Sequence, residues 1–226
     1  MISIAIDGPA GAGKSTIAKT VSRELGYIYV DTGALYRTVS LKFSRAGATP
    51  EKIENVEEIL SSLSVNIEFK NGEQRMLLDG VDVTDSIRTP EVSMMASAVS
   101  AIPAVRAFLL ETQRRLAREN NVIMDGRDIG TVVLPDAQIK IFLTASPEAR
   151  ADRRYKELIE KGMDVKFEDV LSDIIKRDHN DSTRAVAPLK PAEDSIYVDT
   201  SGNTLEQSVA ELKGIIEKEL ENVAVL

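Results

Sequence analysis

The chain of 226 residues has no cysteine, a single histidine and few aromatics, which make up 4% of it. Without cysteine there are no disulfides and no thiolate metal sites. His179 stands in a polar stretch with no partner cluster and is expected in solvent rather than in chemistry. A basic face is missing as well. The formal net charge of −8 argues against general binding of a nucleic-acid duplex, which calls for clustered Lys and Arg. No stretch approaches the roughly 18 apolar residues of a membrane span. The N-terminal apolar run is only a strand long and has no basic region before it, so no signal peptide is expected. Internal repeats and low-complexity linkers are absent too. The expectation is a cytoplasmic chain without nucleic-acid or membrane partners and, for want of an obvious exposed apolar stripe, a monomer.

What is present begins at the N-terminus. Gly8-Pro9-Ala10-Gly11-Ala12-Gly13-Lys14-Ser15 fits the phosphate-binding loop pattern of Gly, four residues, then Gly-Lys-Ser. A β-branched run, Ile2 to Asp7, precedes it. After it, Ile17, Ala18 and Val21 suit one helix face, giving the strand, loop and helix that the motif needs. Unpaired N–H groups at a helix start carry the positive end of the helix dipole, and glycines let the backbone curl around a phosphate. Lys14 would reach the β- and γ-phosphates and Ser15 would offer a hydroxyl to Mg²⁺. This stretch, with Thr16 beyond it, is expected to bind a nucleoside triphosphate.

Along the rest of the chain, buried-strand runs at 27–31, 122–125, 139–143 and 195–199 alternate with helical patterns. Helices are expected over about 32–47, from Thr49-Pro50 through Leu63, from Thr89-Pro90, from Pro103, from Ser146-Pro147 to Gly162, and over about 167–178. A polar stretch, 178–183, follows that helix. Thr204 with Gln207 forms a capping box for a last helix. Between 64 and 86, short alternating runs are separated by Asn71-Gly72 and Asp79-Gly80, predicting a small antiparallel sheet inserted in the scaffold. The methionines at 94–95 read as ordinary packing, and Asp82 and Asp85 as turn and surface positions. The fold class is α/β, a three-layer α/β/α phosphate-loop NTPase fold with a five-stranded parallel sheet. Ligands in such sheets sit beyond the C-terminal strand ends, near Asp31-Thr32, Asp125 and Arg127-Asp128.

Three classes of phosphate-loop protein compete. A GTPase switch would carry an Asn- or Thr-Lys-x-Asp base-reading motif, which is missing. A motor or DNA-dependent ATPase would be larger, with a basic track. A small-molecule kinase needs a second pocket, a lid and charge-neutralising groups. Arg37, Arg106, Arg127, Arg150, Arg153, Arg154, Arg177 and Arg184 supply the last of these. An alcohol acceptor calls for a carboxylate base. A phosphate acceptor is largely a dianion at pH 7 and calls instead for guanidinium groups. The pattern favours a phosphate acceptor. Arg114, Arg115 and Arg118 read as a solvated helix face.

The motifs GPAGAGKS, DTGALYR, DGRDIGT and RDHNDSTRAVAP, in this order, closely resemble those of bacterial cytidylate kinases over nearly the whole chain. The resemblance implies one kinase domain, 1–226, with a nucleoside-monophosphate-binding insertion at 64–86 and a helical lid and acceptor-contact region at 148–184. It implies transfer of the γ-phosphoryl of ATP to CMP or dCMP, with Mg²⁺ held by Ser15 and Asp125. Lys14, Arg127, Arg154, Arg177 and Arg184 would be catalytic. Arg37 and Arg127 would clamp the acceptor phosphate, Thr32, Arg106 and Asp128 would read the cytosine edge, and Asp181 and Arg184 would contact the sugar. Two rivals stay open: a related small kinase acting on UMP or a small alcohol, and a regulatory protein that binds ATP without transferring phosphate.

Overall fold

The computed structural model describes residues 1–224. Five parallel strands form the central sheet: β1 (Ser3–Asp7), β2 (Ile28–Asp31), β6 (Val122–Gly126), β7 (Ile139–Thr144) and β8 (Ile196–Asp199). Their order is β2-β6-β1-β7-β8, with Asp7 opposite Gly126, Asp31 opposite Asp125, and Thr144 opposite Asp199. The order reverses direction at β1 and β6, the crevice where such sheets bind ligands.

Alternate side chains of the strands feed two cores. Ile4, Ile6, Ile123, Ile141 and Leu143 pack against α1 (Lys14–Leu25) and α8 (Leu205–Ala224) on one face. Ala5, Val30, Val122 and Met124 pack on the other face against Leu116 and Ala117 of α5 (Pro103–Glu119) and against Ile129 and Val133. The three layers are thereby in place. Thr204 and Gln207 exchange the hydrogen bonds of a capping box at the start of α8.

The insertion forms an antiparallel sheet of β3 (Val65–Lys70), β4 (Glu73–Leu78) and β5 (Val81–Asp82). Its buried Met76 and Leu78, with Val83, join the core of α2 (Thr32–Arg45), α4 (Pro90–Val99) and α5. Thr89 caps α4 with its side chain, and Pro103 starts α5 after a bend of 100°. Of the methionine pair, Met95 is buried in this core, whereas Met94 is exposed. A fourth core, Ala151, Leu158, Val170 and Ile174, holds the hairpin of α6 (Pro147–Glu160) and α7 (Phe167–Thr183) together.

Two helical expectations need correction. Thr49 and Lys52 exchange two main-chain hydrogen bonds and Asn55 adopts φ 55°, so only α3 (Val56–Ser61) is helical there. Conversely, α7 runs on through 178–183 instead of ending at 178. Asp178 and Asp181 in that turn are held by Arg150 and Arg127, and the Ser182 and Thr183 hydroxyls bond back into it. Among the described residues, no single helix is long and apolar enough to cross a membrane.

Candidate active site

Gly8 leaves β1 at φ 150°, where a Cβ would lie 1.9 Å from the Leu143 carbonyl oxygen, so only glycine lets the loop turn this close to β7. Gly13, left-handed, caps α1, and Ser15 and Thr16 are exposed at the helix start. Lys14 is buried and donates to the Pro9 carbonyl at 2.7 Å. Burial, then the charge of Arg127, pushes its pKa well below the ordinary lysine value. The loop is braced from behind. Buried Arg150 donates to the Ala10 and Ala145 carbonyls and makes a bidentate pair with Asp178 at 3.0 and 2.5 Å. Arg153 donates to the Thr200 carbonyl at 2.5 Å and to Ala12 at 3.4 Å.

Asp125, at the end of β6, accepts from the Ser15 hydroxyl at 2.7 Å and from the Tyr29 hydroxyl at 3.1 Å. Burial, then the neighbouring Asp31 carboxylate, raises its pKa to about 6. A hydroxyl and a carboxylate this close are hard oxygen donors of the kind Mg²⁺ takes when phosphates and waters complete its shell. The residues fit that ion. Asp31 accepts from the Ala34 N–H, which starts α2, and pairs with Arg88 at 3.0 Å and Arg37 at 3.9 Å. Gln74 of the insertion bonds the Asp31 main chain, and Glu73 pairs with Lys19 at 2.5 Å.

Facing these groups is a run of guanidinium groups. Arg127 donates to Asp181 at 2.8 Å. Arg106 pairs with buried Asp128, donates to the Ser100 carbonyl at 3.1 Å and lies 5.7 Å from the Tyr36 ring centre. Arg184 stands 3.6 Å from Asp128 and donates to the Ala187 carbonyl. Burial raises the Asp128 carboxyl pKa, opposed by Arg106, Arg184 and Arg127. The Thr32 hydroxyl donates to the Asp125 carbonyl at 2.7 Å, which leaves its own oxygen free to accept. Three buried guanidinium nitrogens, Arg37 Nη1, Arg177 Nε and Arg184 Nη2, have no hydrogen-bond partner. Arg177 is held down to about 10, by burial first and by the like charge of Arg127 next. Arg37 is lowered by burial too, with Arg88 and Arg127 adding to the effect.

The structure thus brings Lys14, Ser15, Thr32, Arg37, Arg106, Asp125, Arg127, Asp128, Arg177, Asp181 and Arg184 to the sheet's C-terminal edge and the elements above it. Arg154 is not among them: it pairs with Glu157 along α6, and its side chain is 42% exposed. His179, Asp82 and Asp85 are exposed. Arg114 departs from the solvated face expected for it, donating to the Val132 and Val133 carbonyls. Reasoning from sequence missed Asp7, Tyr29, Gln74, Arg88 and the Arg150–Asp178 pair. A strand ending in Asp just before the loop was the available signal for Asp7.

A buried site with bonded carboxylates, a phosphate-type loop and unpaired guanidinium donors can hold two anions and neutralise charge between them. The family model for cytidylate kinase matches residues 4–218. The cytidylate kinase of Caldicellulosiruptor bescii is 51% identical over 221 residues, 98% of this chain and 98% of that protein. That of Carboxydothermus hydrogenoformans is 48% identical, covering 94% of this chain and 96% of its own. An uncharacterized protein from Eubacterium ventriosum shares the fold, with a TM-score of 0.53 at 12% identity, covering 96% of this chain and 99% of that one. By sequence over nearly its full length, the chain belongs to the cytidylate kinase family.

Proposed function

We propose that the enzyme transfers the γ-phosphoryl group of ATP to CMP or dCMP, yielding the diphosphate. The observation that carries this reading is the set of three buried guanidinium nitrogens, on Arg37, Arg177 and Arg184, that make no hydrogen bond among the described residues. An unsatisfied buried donor costs stability, and a nucleotide phosphate is the partner that removes that cost.

In this reading Gly8 to Thr16 cradle the triphosphate and Lys14 leaves Pro9 for the phosphoryl oxygens. The CMP phosphate, with a second pKa near 6, is already largely a dianion and needs no general base. Arg37 and Arg127 hold it, countering the repulsion between two anions. Arg177 faces the transferring group, where charge develops, and Arg154 joins it when the α6–α7 hairpin closes. Ser15 and Asp125 would hold Mg²⁺, which supplies charge neutralisation to the triphosphate when bound. Asp128, oriented by Arg106 and Arg184, accepts from the cytosine amino group together with Thr32. A uracil carbonyl would set acceptor against acceptor there, which favours cytosine. Asp181 and Arg184 contact the sugar.

A coupled assay with ATP, Mg²⁺ and CMP, dCMP, UMP or a small polyol tests the reading. Turnover of CMP and dCMP well above UMP is expected. No turnover of either cytidine nucleotide refutes it, and turnover of the polyol alone replaces it with a different kinase.

A further inference from the structure

Asp7 is a buried carboxylate that the mechanism above leaves idle. It ends β1, directly before the phosphate loop, and is only 3% exposed. One of its oxygens accepts from the Ile129 N–H and the other from the Gly130 N–H, each at 2.7 Å. Those two N–H groups open the turn that follows Arg127 and Asp128. The turn itself is a wide helical one, closed by Val132 and Val133 donating to the Asp128 carbonyl. Two separate acceptor atoms on so short an arm are a property of aspartate. Asparagine would present an NH₂ donor to one of the two N–H groups.

We infer that Asp7 is a positioning residue for the acceptor, fixing the Arg127–Asp128 turn relative to the phosphate loop and thereby setting preference for cytosine. The inference rests on the CMP reading. Arg127 and Asp128 reach their partners Asp181, Arg106 and Arg184 from the backbone that Asp7 clamps. Asp7 is bonded to Gly8 along the chain, so one carboxylate ties the start of the donor loop to the residues that would hold the acceptor. Losing the clamp should loosen both contacts to CMP while the loop's own bonds, Lys14 to Pro9 and Arg150 to Ala10, persist.

The test compares Asp7→Asn with wild type for the KM of CMP, the KM of ATP and the ratio of kcat/KM for CMP over UMP. The expected result is a KM for CMP raised about 10-fold and a CMP/UMP ratio lowered about 10-fold, the size of one charged hydrogen bond. The KM for ATP should stay within about 2-fold, a split that general loss of stability would not produce. A folded Asp7→Asn enzyme with the wild-type ratio overturns the role of Asp7. If the variant does not fold, amide hydrogen exchange on the wild type decides. Slow exchange at Ile129 and Gly130 supports the clamp, and exchange at the rate of exposed loops overturns it. A wild type inert toward CMP instead overturns the functional reading, and this inference with it.

Discussion

The donor and acceptor halves of the cleft differ in how their polar groups are satisfied. On the donor side Lys14 bonds Pro9, Ser15 bonds Asp125, and Arg150 spends its donors on Ala10, Ala145 and Asp178. On the acceptor side Arg37, Arg177 and Arg184 each keep a buried nitrogen that makes no hydrogen bond among the described residues, although Asp31 lies 3.9 Å from that of Arg37 and Asp128 lies 3.6 Å from that of Arg184. The donor loop is made of main chain and is braced by the sheet core, so its shape is set before any nucleotide arrives. In the proposed reading the acceptor half, where Arg37, Arg127 and Arg177 oppose one another's charge, is completed by an anion. Stability is given up where substrate charge must be met, which is where enzymes commonly carry it.

That contrast predicts opposite signs for activity and stability at Arg177. Replacing it with Met removes a half-buried cation that sits at about 10 because desolvation and Arg127 oppose its charge. The charged form is the one disfavoured by folding, so at neutral pH the variant should be more stable, with Tm higher by a few degrees. Its kcat should fall on the order of 10³-fold, as expected for an arginine on a transferring phosphoryl group. Thermal melts and initial rates check both. A variant no more stable than wild type would break the contrast, because Arg177 would then be satisfied in some way that the geometry lacks.

Lys14→Ala probes the satisfied half. In the proposed reading Lys14 exchanges its bond to Pro9 for phosphate, and its loss should lower kcat about 10²- to 10³-fold, comparable to deleting one pre-placed donor at developing charge. Steady-state rates at saturating ATP measure this. Near-normal kcat would mean that the loop binds the triphosphate without acting on the transition state.

Legibility in the sequence tracks how local each feature is. The phosphate loop, the buried strands and the hairpins at Asn71-Gly72 and Asp79-Gly80 are written in neighbouring residues and emerge where expected. The last turns of α7 do not, because Asp178 and Asp181 are polar and stay helical through Arg150 and Arg127, residues far away in sequence. Nor does the loss of helix at 49–55, where a pair of main-chain bonds outweighs an apolar spacing. Among candidate site residues, those with distinctive motifs around them, such as Lys14, Arg127 and Asp128, are brought to one edge of the sheet. Asp7 was missed, and Arg114 misassigned to a solvated face, because both bond backbone groups rather than patterned side chains; the Asp7 contacts lie 122 and 123 residues away. Arg154 shows the converse, since a place in an arginine-rich run does not fix where a long side chain ends, and here it ends on Glu157.

The smallest effect concerns whether the donor half is as well satisfied as its bonds suggest. The Asp7 carboxyl sits at about 6 instead of 3.8 because burial disfavours the anion by more than its two amide bonds and Lys14 favour it. Between about pH 4 and pH 6 the folded protein therefore keeps a proton that the unfolded chain has released. Its stability falls as pH rises through that window and is level above it. Asp125 titrates in the same range, so the measurement must be a difference. The Tm of wild type minus that of Asp7→Asn should decline by a few degrees from pH 4 to pH 6 and then stay flat. A difference that is constant throughout would mean the two amide bonds offset the whole cost of burial. The donor half would then carry no strain at all, and its contrast with the acceptor arginines would be complete.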